Sequence, residues 1–452
     1  MKTSLSLLLL PFLAGVVFGQ GEKQNSVSVT VYNANLGVVR EIRNMDVPSG
    51  NSIIKITDVA QLIDPTTVHI KLNGTVLEQN YQYDLVSLDK ILKKYIDKTI
   101  QLIGKNGDFI EGTLLSAYGN QIVLEKKAGG LQMLPNTNDY QISVGNLPEG
   151  LITKPTLVWM VDSKSSGKQD VEVTYQTGGM NWHAEYVAVL NNDDTKLDLN
   201  SWVSVENESG TTYKDAKLKL IAGDVNLVQQ NVYRDQMTKG REMDFAVAEA
   251  PQFEEKELFE YHIYDLQRPT TLANNETKQI SLFEAAGIKA VKRYLYSGGS
   301  YYGNNGKVAV IIEFENKKEY DLGIPMPAGK VRMFKSDGKS LEFVGEDMID
   351  HTPKNEKLKL KIGDAFDIVV EEIETENKQI TSKIREISYD IKIKNRKKED
   401  VVVDVERNLG LNWEILNSSI QYEKKDSRTI LFKAPVKADT ETVLKYKVRY
   451  SY

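Results

Sequence analysis

Few side chains in this sequence could carry out chemistry. It has four histidines, His69, His183, His262 and His351, and no cysteine. Without thiols there is no thiolate nucleophile, no cysteine-ligated zinc, no iron–sulfur cluster and no disulfide. His351 follows Asp347 and Asp350 and has the most polar setting of the four. It is therefore the candidate catalytic base or metal ligand. One histidine beside two carboxylates is not the spaced ligand set a bound metal needs, so neither a metal site nor a cofactor is expected. His183 and His262 lie between apolar neighbours and read as strand residues. The HExxH, Walker A, GxSxG and EF-loop signatures are absent. A carboxylate pair for glycoside hydrolysis is defined by separation in space, so the sequence leaves it open.

The other chemical signal is aromatic. Tyr294, Tyr296, Tyr301 and Tyr302 surround a Gly/Ser/Asn-rich loop from Ser297 to Gly306. Aromatic rings on a hairpin tip could stack on sugar rings or on a partner chain, and these four are the candidate binding residues. Cross-strand tyrosine pairing is the structural alternative. Trp182 and Trp202 read as core anchors between sheets.

The chain has 452 residues, 41% hydrophobic and 27% charged, a globular composition. Its 57 basic against 63 acidic residues give a net charge of −6, which argues against a nucleic-acid partner. Lys2 precedes an apolar run of 14 residues, Leu5 to Phe18, with small or medium residues before Gln20. Residues 1–19 thus read as a secretory signal peptide, too short for a membrane span of ~20 residues. The expectation is export to a periplasm, the cell surface or the medium, with no membrane span after the signal is removed.

Period-two alternation runs through the rest. Val27, Val29 and Val31 alternate with Ser28, Thr30 and Tyr32. The pattern returns at 67–72, 171–175, 218–221, 308–314, 358–362, 387–393 and 443–450, so the fold class is all-β, several antiparallel sandwich-like domains. Hairpin turns are expected at Asn73-Gly74, Asn106-Gly107, Asn305-Gly306 and Asp337-Gly338. One amphipathic helix is expected after Ser87, with Leu88, Ile91, Leu92, Tyr95 and Ile96 on one face. Five short strands follow it, at 99–103, 109–115, 121–125, 131–134 and 140–144. This outline resembles the Sm-like family and implies a small inserted SH3/Sm-like barrel. The Sm-type Asp and Asn pair is replaced here by Ala117-Tyr118-Gly119-Asn120, so the module reads as architecture. The expected domains are an N-terminal β domain over 20–86, the helix and barrel over 87–146, a central β domain over 147–228, a flexible excursion over 229–257, and C-terminal β units over 258–452.

Several segments, taken in order, resemble a bacterial exported family catalogued as domain of unknown function 4139, related to mucoidy-inhibitor-like proteins. They are Val31–Glu41, Lys154–Trp159, Tyr175–Tyr186, Trp202–Asn226, Tyr261–Tyr264, Ile324–Gly329, His351–Pro353 and Gly363–Asp367. The resemblance implies export and β architecture and brings no active site. In mucoidy-inhibitor-like relatives a coiled coil stands where this chain has its small module. The reading that follows is an exported, non-enzymatic scaffold or binding protein of the cell envelope or extracellular space. Its expected partner is a cell-surface polysaccharide or envelope protein. The alternative is a carbohydrate- or ester-directed hydrolase centred on His351 or a carboxylate pair.

Overall fold

Strands form where the alternation of apolar and polar residues begins. In the computed structural model, which describes residues 24–223, 252–258, 261–298, 306–336 and 338–452, the first strand is Gln24–Tyr32. It buries Val27, Val29 and Val31 and leaves the residues between them half-exposed. It turns at Asn35, in the left-handed region at φ 53, and pairs antiparallel with Leu36–Val47. Its other side pairs in parallel with Tyr213–Ala222. This ladder joins segments expected to lie in separate N-terminal and central domains. Together with Gly167–Thr177, His69–Lys71, the Phe253–Leu258 and Tyr261–Leu266 pair, and Thr270–Leu272, which pairs with Tyr213–Ala222, they form one eight-stranded sheet.

A three-stranded sheet of Gly50–Thr57, Thr156–Ser163 and Gly74–Gln82 shares its core with the first. So does a five-stranded sheet in the order Glu276–Lys289, Lys196–Asn207, Met180–Leu190, Gly329–Ser336, Leu341–Ile349. Trp159, Tyr175, Trp182, Tyr186 and Tyr213 are the large side chains filling this core. Each buried aromatic removes ~150–250 Å² from water, so large side chains take the place that disulfides would have in stabilising a cysteine-free chain.

A nine-stranded sheet follows, built from Val291–Gly298 through Glu441–Ser451, with its own core. It curls on itself. Tyr446 and Phe432 lie near opposite ends of the strand order, yet their rings are 5.3 Å apart. Ile312, Phe314, Leu358 and Leu360 of this sheet pack into the first core and join the two halves. The parallel ladders of Met180–Leu190 with Gly329–Ser336 and of Val291–Gly298 with Val401–Asn408 were not visible in the sequence pattern.

The helix forms as expected, Leu88–Lys94, with the Ser87 side chain accepting from the Lys90 N–H. The five short strands also form, in the order Tyr140–Ser143, Thr99–Gly104, Phe109–Tyr118, Gln121–Lys126, Leu131–Leu134. The expected barrel does not close. The two outer strands have four residues each and share no ladder, so the sheet stays open. Leu92 and Tyr95 of the helix join Ile100, Leu102, Leu114 and Leu124 in its core. The module enters and leaves beside itself, where Val86 donates to the Ile152 carbonyl and Ile152 to that of Asp84.

Two other expectations change. Asn73-Gly74 makes no hairpin: the strands on either side pair with different partners, Gly167–Thr177 and Thr156–Ser163. Gly74 serves close approach instead, since a Cβ there would lie 2.5 Å from the Asp162 carbonyl oxygen. The turn at Asn106-Gly107 does connect paired antiparallel strands. Asn305 and Asp337 lie outside the described residues, and of those two turns only the antiparallel pairing of the flanking strands is described, Val291–Gly298 with Lys307–Glu315 and Gly329–Ser336 with Leu341–Ile349. Most of the expected excursion also lies outside them, but residues 253–257 belong to a strand. Among the described residues no helix is long and apolar enough to cross a membrane.

Candidate functional site

The outer face of the five-stranded sheet gathers polar side chains around one carboxylate. Met180–Leu190 buries every second residue, Trp182, Ala184, Tyr186 and Ala188, so His183, Glu185, Val187 and Val189 point the other way. Cross-strand register sets Ser204 opposite His183, and Trp202 and Lys330 on either side of Glu185. Gln279 pairs with Ser204 from the next strand.

Glu185 is the hub. Its Oε2 accepts from Gln279 Nε2 at 2.9 Å and from Ser204 Oγ at 3.3 Å. Its Oε1 accepts from both terminal nitrogens of Arg332 at 3.4 Å and lies 3.8 Å from His183 Nε2. Gln279 also donates to Ser204 at 3.1 Å, and Arg332 extends the network to Glu346. The His183 imidazole, ahead of the Arg332 guanidinium, holds the Glu185 carboxyl down at about 2. In return Glu185 raises the pKa of His183. The hub is therefore a fixed anion ringed by donors, with the half-exposed indole of Trp202 beside it.

The residues expected to act from sequence lie elsewhere. His351 is exposed. Its Nδ1 accepts from the Ala328 N–H at 3.2 Å, and its Nε2 lies 3.5 Å from the Asn33 amide. Asp347, expected to lend it polarity, accepts instead from the main-chain N–H groups of Lys361 and Met348. Among the described residues no group of three His, Asp or Glu side chains could hold a metal.

Tyr294 and Tyr296 are buried in the second core, at 8% and 4% exposure, so their rings do not face a ligand. Tyr296 donates to Glu372 Oε2 at 2.9 Å, and burial pushes its phenol pKa up. The same oxygen accepts from Arg407 at 2.7 Å. The Arg407 guanidinium sits 5.1 Å from the Tyr389 ring centre and 5.8 Å from that of Tyr446. Tyr301 and Tyr302 lie outside the described residues. His262 is paired through Nδ1 with Glu255 at 2.7 Å.

Trp182 is the core anchor it was expected to be, donating to the Ile221 carbonyl and meeting Tyr264 edge-on. Trp202 is not. It is one residue out of phase with Leu199, Val203 and Val205, which face the core. That phase was readable in the sequence and would have placed both Trp202 and the Glu185 network on the outer face. A groove of about 270 Å³ where the two halves meet carries charges that pair internally, Arg293 with Glu313 and Lys317 with Glu315.

A family model described as Domain of unknown function (DUF4139) matches residues 171–452, more than half of the chain, so the chain belongs to that family. The match covers both the Glu185 network and the Arg407 cluster and leaves the small module outside it. No curated protein matches the chain.

Proposed function

We propose that this member of the DUF4139 family is an exported, non-enzymatic binding scaffold whose ligand lies across the outer face of the five-stranded sheet. The observation that carries the reading is the Glu185 network beside Trp202. Its donors are held in place before any ligand arrives, so binding costs little side-chain ordering. A flat indole next to hydrogen-bonding groups suits a polymer with apolar ring faces and hydroxyl edges, which makes a cell-surface polysaccharide the preferred partner. The state of Glu185 speaks against hydrolysis at this site. An ionised carboxylate is no general acid, and both of its oxygens already accept hydrogen bonds, which blunts it as a nucleophile.

The test is co-sedimentation of the full chain with insoluble cell-wall and surface polysaccharide. Trp202→Ala and Arg332→Ala are expected to weaken retention by about tenfold, with circular dichroism unchanged. Retention equal to that of the unaltered protein in both variants would falsify the sheet-face reading.

A further inference from the structure

The small module has a depression of its own, at the end where its sheet stays open. Two loops bound it. One is the tight turn between Phe109–Tyr118 and Gln121–Lys126, with Gly119 in the left-handed region at φ 56. The other is the connection from Pro135 to Asn138 that follows the last strand of the open edge. They border a shallow, open depression of about 510 Å³.

The chemistry of the lining is uniform. Tyr118 is 82% exposed and offers a ring face. Asn120, Gln121, Asn136 and Asn138 bring four carboxamides, and no acidic or basic side chain lines the depression. The loops are tied to each other. Asn120 Nδ2 donates to Asn138 Oδ1 at 3.2 Å, and the Thr137 N–H donates to the Asn120 carbonyl at 2.9 Å. Asn136 Oδ1 accepts from the Asn138 N–H at 2.8 Å and fixes the second loop.

We infer that this depression is a binding site for a neutral saccharide, with Tyr118 as the stacking platform and the carboxamides as its hydroxyl readers. Each carboxamide supplies a donor and an acceptor together, and a sugar hydroxyl both donates and accepts. A phosphate or carboxylate ligand would call for a cation, and the lining has none. Single-stranded nucleic acid would also stack on a tyrosine, but its binding draws on a basic groove along the backbone. A strand-end tyrosine left this exposed gains little by facing water alone, whereas an apolar sugar face can cover it. The site shares no residue with the Glu185 network, so the two readings stand or fall separately.

The test is an array of neutral and anionic oligosaccharides together with oligouridine, probed with the full chain and with Tyr118→Ala, Asn138→Ala, Tyr118→Phe and Trp202→Ala. Neutral glycans are expected to be captured. Tyr118→Ala should cut the affinity by about tenfold, Asn138→Ala should weaken it, and Tyr118→Phe should restore it. Capture at this site should survive Trp202→Ala, which reports only on the sheet face. An array with no neutral saccharide retained overturns the inference. So does capture indifferent to Tyr118→Ala, or binding of oligouridine that Tyr118→Ala abolishes while neutral glycans stay unbound. Because Tyr118 is exposed, its variants are expected to fold, and near-UV circular dichroism checks that they do.

Discussion

Arg407 and Glu372 meet at 2.7 Å, with the arginine side chain only 4% exposed. Tyrosine rings close over the guanidinium, and the phenol of Tyr296 shares its carboxylate oxygen. A buried charge keeps its place in such a core only while its partner is present.

Removing one member of this pair is therefore expected to cost more than removing both. Arg407→Met should destabilise the protein by about 3–5 kcal/mol, because Glu372 is left uncompensated. Adding Glu372→Gln should recover part of that loss. Urea unfolding of the two single variants and the double variant measures the coupling, and strict additivity would remove the buried-pair account.

Tyr446 gives the opposite expectation. Its hydroxyl is buried and has no hydrogen-bond partner among the described residues, while its ring stacks on Tyr389 and packs against Phe432. Tyr446→Phe keeps the rings and discards a desolvated polar group, so stability should hold or rise by about 1 kcal/mol. A clear fall in thermal midpoint would mean that the hydroxyl is satisfied in solution.

The Glu185 network should show in the pH dependence of stability. The pKa of Glu185 is depressed on folding, so its contribution is present above the ordinary carboxylate range and is lost as pH falls from about 4.5 toward 2. That of His183 is raised, so its contribution is complete below its ordinary value near 6.5 and fades as pH rises through the folded value. Glu185→Gln should flatten both limbs, and chemical unfolding at a series of pH values would show it. An unchanged profile in that variant would mean that the anion does not organise the face.

How far the sequence disclosed this architecture depends on the range of each signal. Alternation is local, and Val27, Val29 and Val31 or Ile387, Ile391 and Ile393 announced their inward faces correctly. The Ser87 cap was legible for the same reason. Sheet membership is not local. Nothing near Val29 indicates that it lies beside Leu218 in a parallel ladder, and so the expected domain boundaries cut through shared sheets. The sites failed in a different way. His351 and the four tyrosines drew notice by residue type and by the loop beside them. The Glu185 network depends on which phase of the alternation faces out and on register between Gln279, Ser204 and Arg332. Tyr118 and its carboxamides come together only because two turns of the module converge.

The parallel pairing of Gln24–Tyr32 with Tyr213–Ala222 also has a bearing on timing. The earliest of the described strands cannot be flanked on both sides until a segment synthesised much later arrives, and distant pairings of this kind form slowly. A polypeptide so arranged spends its first moments unable to lock.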